Sequence, residues 1–168
     1  MKKILLLALI FSFPFSVFNS VNGQKITTSF WGCAFGVSSE IVYNNLVEAG
    51  LEPIVSDDAI FLKSENIYSI PFQTIGFKFT ASDAFYNIFG YNKFDNKQAA
   101  TDNLNEALSK LRDLYPTLQT MSPTQGCLKL YAYADADSGE AFSLGLYKGN
   151  NAFFVRLNIF SDYLLKKK

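Results

Sequence analysis

Apolar and polar positions change period several times along this chain, and each change predicts an element. Residues 25–31 open with a β-branched, strand-like run, punctuated by Gly32 and Gly36. Ser38-Ser39-Glu40 then reads as a helix start, hydroxyl caps with an acid in the first turn. Val42, Tyr43, Leu46, Val47 and Ala49 keep helical spacing, Gly50 is a natural stop, and Pro53 confirms the exit. Between Asp58 and Tyr91 the period drops to two. Residues 59–63 read as a short strand and Ser64-Glu65-Asn66 as a turn, after which Tyr68, Ile70 and Phe72 share one face. Ile75, Phe77 and Phe79 alternate with Gly76, Lys78 and Thr80, the cleanest half-buried strand in the sequence. Residues 84–91 follow as another, with Phe85, Phe89 and Tyr91 expected on one side.

Asp95 or Asn96 caps the strongest helix, in which Ala100, Leu104, Ala107, Leu108, Leu111 and Leu114 or Tyr115 form one apolar stripe. Pro116 ends it, and residues 117–126 read as a loop. The tail is a meander of three strands, 127–134, 140–147 and 151–160, joined by connectors of hairpin composition. The predicted order is β-α-ββββ-α-βββ. Segregated helices and hairpin strands imply an α+β fold with antiparallel sheet, about seven to eight strands and two helices in all. Helix-then-meander occurs twice, so residues 24–168 read as one α+β domain divisible into halves 24–94 and 95–168.

The first 23 residues follow another pattern. Lys2 and Lys3 precede an apolar run broken by Ser12, Pro14 and Ser16, and Val21-Asn22-Gly23 supplies a small-residue site before Gln24. That layout predicts a cleaved export signal, a run of about 15 residues being too short to span a bilayer. The first cysteine, Cys33, lies well beyond the run, so lipidation is not expected. The reading is a secreted or periplasmic protein with no membrane-spanning segment after cleavage. Export permits disulfides, and Cys33 and Cys127, the two cysteines, are expected to pair. Their alternative is two buried thiols packing as small hydrophobes.

Composition then removes chemistry. The chain has no histidine, which excludes Ser-His-Asp and Cys-His catalysis and imidazole metal sites. Lys plus Arg equals Asp plus Glu at 15 each, so no net field draws nucleic acid. Acid–base work would fall to carboxylates. Asp57-Asp58 are adjacent on an extended segment and point apart, and Asp135-x-Asp137-x-x-Glu140 sits in a hairpin connector. Read as a calcium loop from Asp135, the fifth, sixth and twelfth positions hold Gly139, Glu140 and Leu146, none of which fits. No phosphate-binding glycine motif follows a strand, and Ser38 and Ser39 have no lysine at SxxK spacing. No catalytic residue, metal site or cofactor is expected.

Phe30-x-Gly32-x-x-Phe35-Gly36-x-Ser38, followed by Leu46 and Gly50, resembles the opening of small exported bacterial proteins of unassigned function. The helix-plus-meander layout is similar to that of the β-lactamase-inhibitor-like folds, built from two helix-plus-sheet halves. The resemblance implies a binding or envelope module and assigns no catalytic residues.

Aromatic residues make up 16% of the chain, and their placement carries the functional expectation. In the C-terminal meander Leu128, Leu130, Phe142, Leu144, Leu146, Phe153, Val155, Leu157 and Ile159 are assigned to one apolar face. Lys129, Tyr131, Tyr133, Tyr147, Phe154, Arg156 and Phe160 are assigned to the other. Two helices cover one face of such a sheet, so the second is closed by loops, closed by a homodimer partner, or open to a ligand. The sequence therefore reads as an exported, non-catalytic binding or envelope-associated module. It would recognise a protein or glycan through Lys129, Tyr131, Tyr133, Tyr147, Phe154 and Arg156. The alternative is a carboxylate-based enzyme acting on envelope or extracellular sugars.

Overall fold

The computed structural model describes residues 25–26, 29–135 and 139–161. The expected export signal and cleavage site, the lysines at 166–168 and Asp137 lie outside the described residues. The fold is α+β. A two-residue hairpin, β1 (Ser29–Phe30) and β2 (Cys33–Ala34), precedes α1 (Ser39–Glu48) and a meander of β3 (Ile54–Ser56), β4 (Ala59–Ile67), β5 (Ile70–Phe79) and β6 (Phe85–Phe94). Helix α2 (Lys97–Leu114) then precedes a second meander, β7 (Gln119–Met121), β8 (Cys127–Asp135), β9 (Glu140–Lys148) and β10 (Phe153–Phe160).

The two meanders make one eight-stranded antiparallel sheet, ordered β3-β4-β5-β6-β10-β9-β8-β7. Each half thus contributes a helix and four strands, and the halves join where their last strands pair, from Phe153 opposite Phe94 to Phe160 opposite Asn87. The edges are three-residue strands, too short to template further pairing.

The helix ends match their sequence signals. Ser38 Oγ accepts from the Ile41 amide, and Leu51 N–H closes on Leu46 C=O around Gly50, which has φ +79°. Asn96 Oδ1 accepts from Ala99 N–H at 2.8 Å, and the stripe Ala100, Leu104, Ala107, Leu108 and Leu111 is buried. Asn92 of β6 ties α2 to the sheet, donating to Asn103 Oδ1 and to Pro71 C=O while its own oxygen receives Gln73 N–H. Both helices lie on the same face. Trp31 and Phe35 of the hairpin region pack on Phe77 and Phe85, and Tyr115 at the end of α2 packs on Tyr133 and Phe142. No helix among the described residues is long and apolar enough to cross a membrane.

Several local expectations change, the runs around 68–72 and 75–80 forming one strand, β5, and the run 25–31 being a strand, among the described residues, only at Ser29–Phe30. Residues 64–66 do not turn: Ser64 takes φ 58° inside β4, and the chain reverses instead at Tyr68 and Ser69, with φ 52° and 60°. A bulge opposite Lys78 and Phe79 flips the parity of β6, so Phe85 faces the helices while Phe89 and Tyr91 face away. The segments at 54–56 and 119–121, without periodic patterning, form the two edge strands.

A candidate binding trough on the sheet face opposite the helices

The face of the sheet opposite the helices forms a trough of about 880 Å³. Ala59 and Phe61 of β4, Lys78 of β5, Phe89 and Tyr91 of β6 and Leu130 of β8 contribute to it. From the centre come Ser143 and Tyr147 of β9 and Phe154, Arg156, Asn158 and Phe160 of β10. Asp58 and the pair Thr124 and Gln125 reach in from connecting loops. Period-two alternation explains the selection: the partner positions Leu146, Leu144, Val155 and Leu157 point the other way and are buried.

Two glycines let the aromatic rings lie against the sheet. Gly76 is the cross-strand partner of Phe89, and a Cβ there would meet the Phe89 ring at 2.3 Å. At Gly145 a Cβ would meet the Tyr147 ring at 2.7 Å. Phe89 is held down in turn by two cations, with the Arg156 guanidinium 4.6 Å and Lys78 Nζ 5.5 Å from its centroid. Tyr91 stacks alongside at 6.4 Å, and Phe154 meets Tyr91 edge-on. Burial lowers the pKa of Lys78, and Arg156 beside it lowers it further. Burial also lowers that of Arg156, against the opposing pull of the Tyr147, Tyr86 and Tyr91 hydroxyls. At the β8 side Tyr147 stands opposite Cys127, whose thiol donates to Lys129 C=O, and burial pushes Tyr147 up to about 12.

Of the six residues expected to share this face, Tyr147, Phe154 and Arg156 do so. The other three are corrected by register. Cys127 pairs with Tyr147 but Lys129 pairs with Leu146, so Leu128 is an extra residue and the parity of β8 reverses. Tyr131 and Tyr133 therefore stand opposite Leu144 and Phe142 on the helix side. Tyr133 is buried against Tyr115 and Phe142, and Tyr131 lies under Arg112 of α2 at 5.8 Å. Lys129 follows the same parity and is exposed away from the trough. Leu130, assigned to the helix side, lines the trough instead.

The expected disulfide is also corrected: both cysteines are free and buried. Cys33 belongs to the hairpin that packs over β5, its thiol donating to Trp31 C=O and Val42 C=O. Cys127 is on β8, four strand spacings away, roughly 19 Å at about 4.8 Å each. A disulfide requires Cα atoms within about 7 Å.

Phe61, Lys78, Phe89 and Tyr91 belong to the site but come from the first meander, which the aromatic argument left aside. Their signal was present, since Gly76 and Lys78 alternate with the core residues of β5, but joining the two meanders required knowledge of the β6–β10 pairing. Asp57 and Asp58 open with Glu40 and Asp83 onto a separate hollow beside α1, where Asp83 Oδ1 receives Ser39 N–H. Among the described residues no group of three or more acidic or cysteine side chains is arranged to hold a metal. Comparison with protein-family models, with curated proteins and with solved structures finds no match to this chain.

Proposed function

We propose that the chain is an exported binding module without catalysis of its own, which recognises a partner through the trough. The observation that carries this reading is the aromatic face that no described helix covers. Both helices pack on one side of the sheet, leaving Phe61, Tyr91, Tyr147, Phe154 and Phe160 around a hollow on the other. An apolar concavity with a few convergent polar groups is the usual form of a binding site. Its volume lies within the roughly 300–1,000 Å³ of such sites. Asp58 is the single carboxylate among the described lining residues, which supports binding over carboxylate-pair hydrolysis.

The test is capture from envelope extract by the mature chain, run beside a glycan array, with Phe154→Ala in parallel. Retained ligands should be lost or weakened by about 1 kcal/mol or more in the variant. Ligands held equally by both proteins would place recognition elsewhere.

A further inference from the structure

Two cations in the trough, Lys78 and Arg156, share it with one carboxylate, Asp58. Asp58 acts on Lys78 from a distance, and among the described residues neither Lys78 nor Arg156 has a carboxylate at ion-pair distance. Both instead ride on the ring of Phe89. Stacking on a ring orients a guanidinium but leaves its N–H donors unspent. Arg156 Nε is buried without a hydrogen-bond partner among the described residues, while the side chain as a whole remains partly exposed to the trough. Two neighbouring positive charges, both partly desolvated, are the arrangement that an incoming anion relieves.

The walls say what carries the anion. Phe61, Tyr91, Leu130, Phe154 and Phe160 are apolar or amphipathic. Phe89, the ring nearest both cations, is buried beneath them and offers no free face on which a sugar could stack beside the charges. From β4 to β8 the trough crosses five strand spacings, roughly 24 Å, the length of about seven extended residues. We propose that Arg156, with Lys78 beside it, holds the carboxylate of an acidic residue within an extended, otherwise apolar segment of a partner protein. This rests on the reading of the trough as the working surface.

The chain has two arginines, Arg112 and Arg156, so the arginine Nε region of its NMR spectrum holds two signals. Arg112 lies over Tyr131 on the other face and serves as an internal reference. The probes are capped heptapeptides of leucine, phenylalanine and alanine with one central glutamate, and the same peptides with glutamine. Oligogalacturonate and inorganic phosphate supply the other anion sources. The glutamate peptides should move the Arg156 signal and leave that of Arg112. They should bind at least tenfold more tightly than their glutamine counterparts, and added salt or Arg156→Gln should erase that margin. Arg156→Lys, which keeps the charge, should retain part of it. Glutamate and glutamine peptides binding alike, with trough amides shifted in both cases, would overturn the anion site and leave the trough as the working surface. Galacturonate or phosphate moving Arg156 where the peptides do not would overturn the choice of occupant. No shift of any trough amide by any probe would bring down both readings.

Discussion

At Gly76 the absence of a side chain is what allows Phe89 to lie on the sheet and the two cations to lie on Phe89. A methyl group there would meet the ring at 2.3 Å, and the ring is itself buried, so it has nowhere to swing. Gly76→Ala is expected to destabilise by about 1–3 kcal/mol in denaturant unfolding and to displace Arg156 from the ring. Tyr147 and Cys33 make the stability pH-dependent in the alkaline range. Burial favours their neutral, protonated forms, holding Tyr147 near about 12 and Cys33 near about 11, against 10.0 and 9.0 for the free groups. The folded state then keeps protons that the unfolded state has lost. Stability should therefore be full below about pH 9 and fall as the pH rises toward 12, and Tyr147→Phe should remove the upper part of that fall. Urea titrations across this range check the sign. A stability that rose with alkalinity would contradict it. Thiol titration should find two free thiols in unfolded, unreduced protein and almost none reactive while it is folded.

The elements divide the aromatic residues between two tasks, and β8 shows how narrowly. One extra residue at Leu128 sends Tyr131 and Tyr133 to the helix side and leaves Leu130 facing the trough. Tyr133 joins a run of rings from Phe30 through Tyr68 and Tyr115 to Phe142, which connects the hairpin, the β4–β5 turn and the end of α2. Tyr133→Ala is expected to cost about 3–5 kcal/mol of stability and leave trough binding unchanged in the surviving folded protein. Phe154→Ala is expected to do the reverse: a small change in the unfolding midpoint and a clear loss of binding. Measuring both properties on both variants separates the faces. Equal effects would mean that the sheet transmits packing changes from one side to the other.

For the whole molecule, the decisive contact is the ladder between β6 and β10. It runs over eight residue pairs, and α2 packs across β6, β9 and β10, bridging the two meanders. Each half alone would expose a long strand edge, and the first would also lose the cover that α2 gives β6. A single cooperative unfolding transition is expected by fluorescence and circular dichroism alike, with fragments 24–94 and 95–168 unfolded when expressed separately. Two separable transitions would show that the halves are independent units. The same ladder builds the trough, since Phe89 and Tyr91 come from one half and Phe154 and Arg156 from the other.

Much of this was legible in the residues. Helix α2 announces itself by its cap, stripe and terminal proline, and α1 by Ser38 and Gly50, because these signals are local in the chain. The α+β class, the repeated helix-plus-meander order and the shared apolar face of β9 and β10 follow from period alone. Tyr147, Phe154 and Arg156 were placed correctly because each alternates with unambiguous core residues. Strand β8 was not readable in this way: leucines and alanines occupy one parity and tyrosines the other, so either set suits a core, and a one-residue bulge chose between them. The separation of Cys33 from Cys127, and the meeting of Lys78 with Arg156 over one ring, depend on which strands are neighbours. Side-chain period is a property of a strand, and the sequence of this protein determined it nearly everywhere. Register and strand order are properties of pairs of strands, set by the packing of both halves at once, and only the tertiary structure decided them.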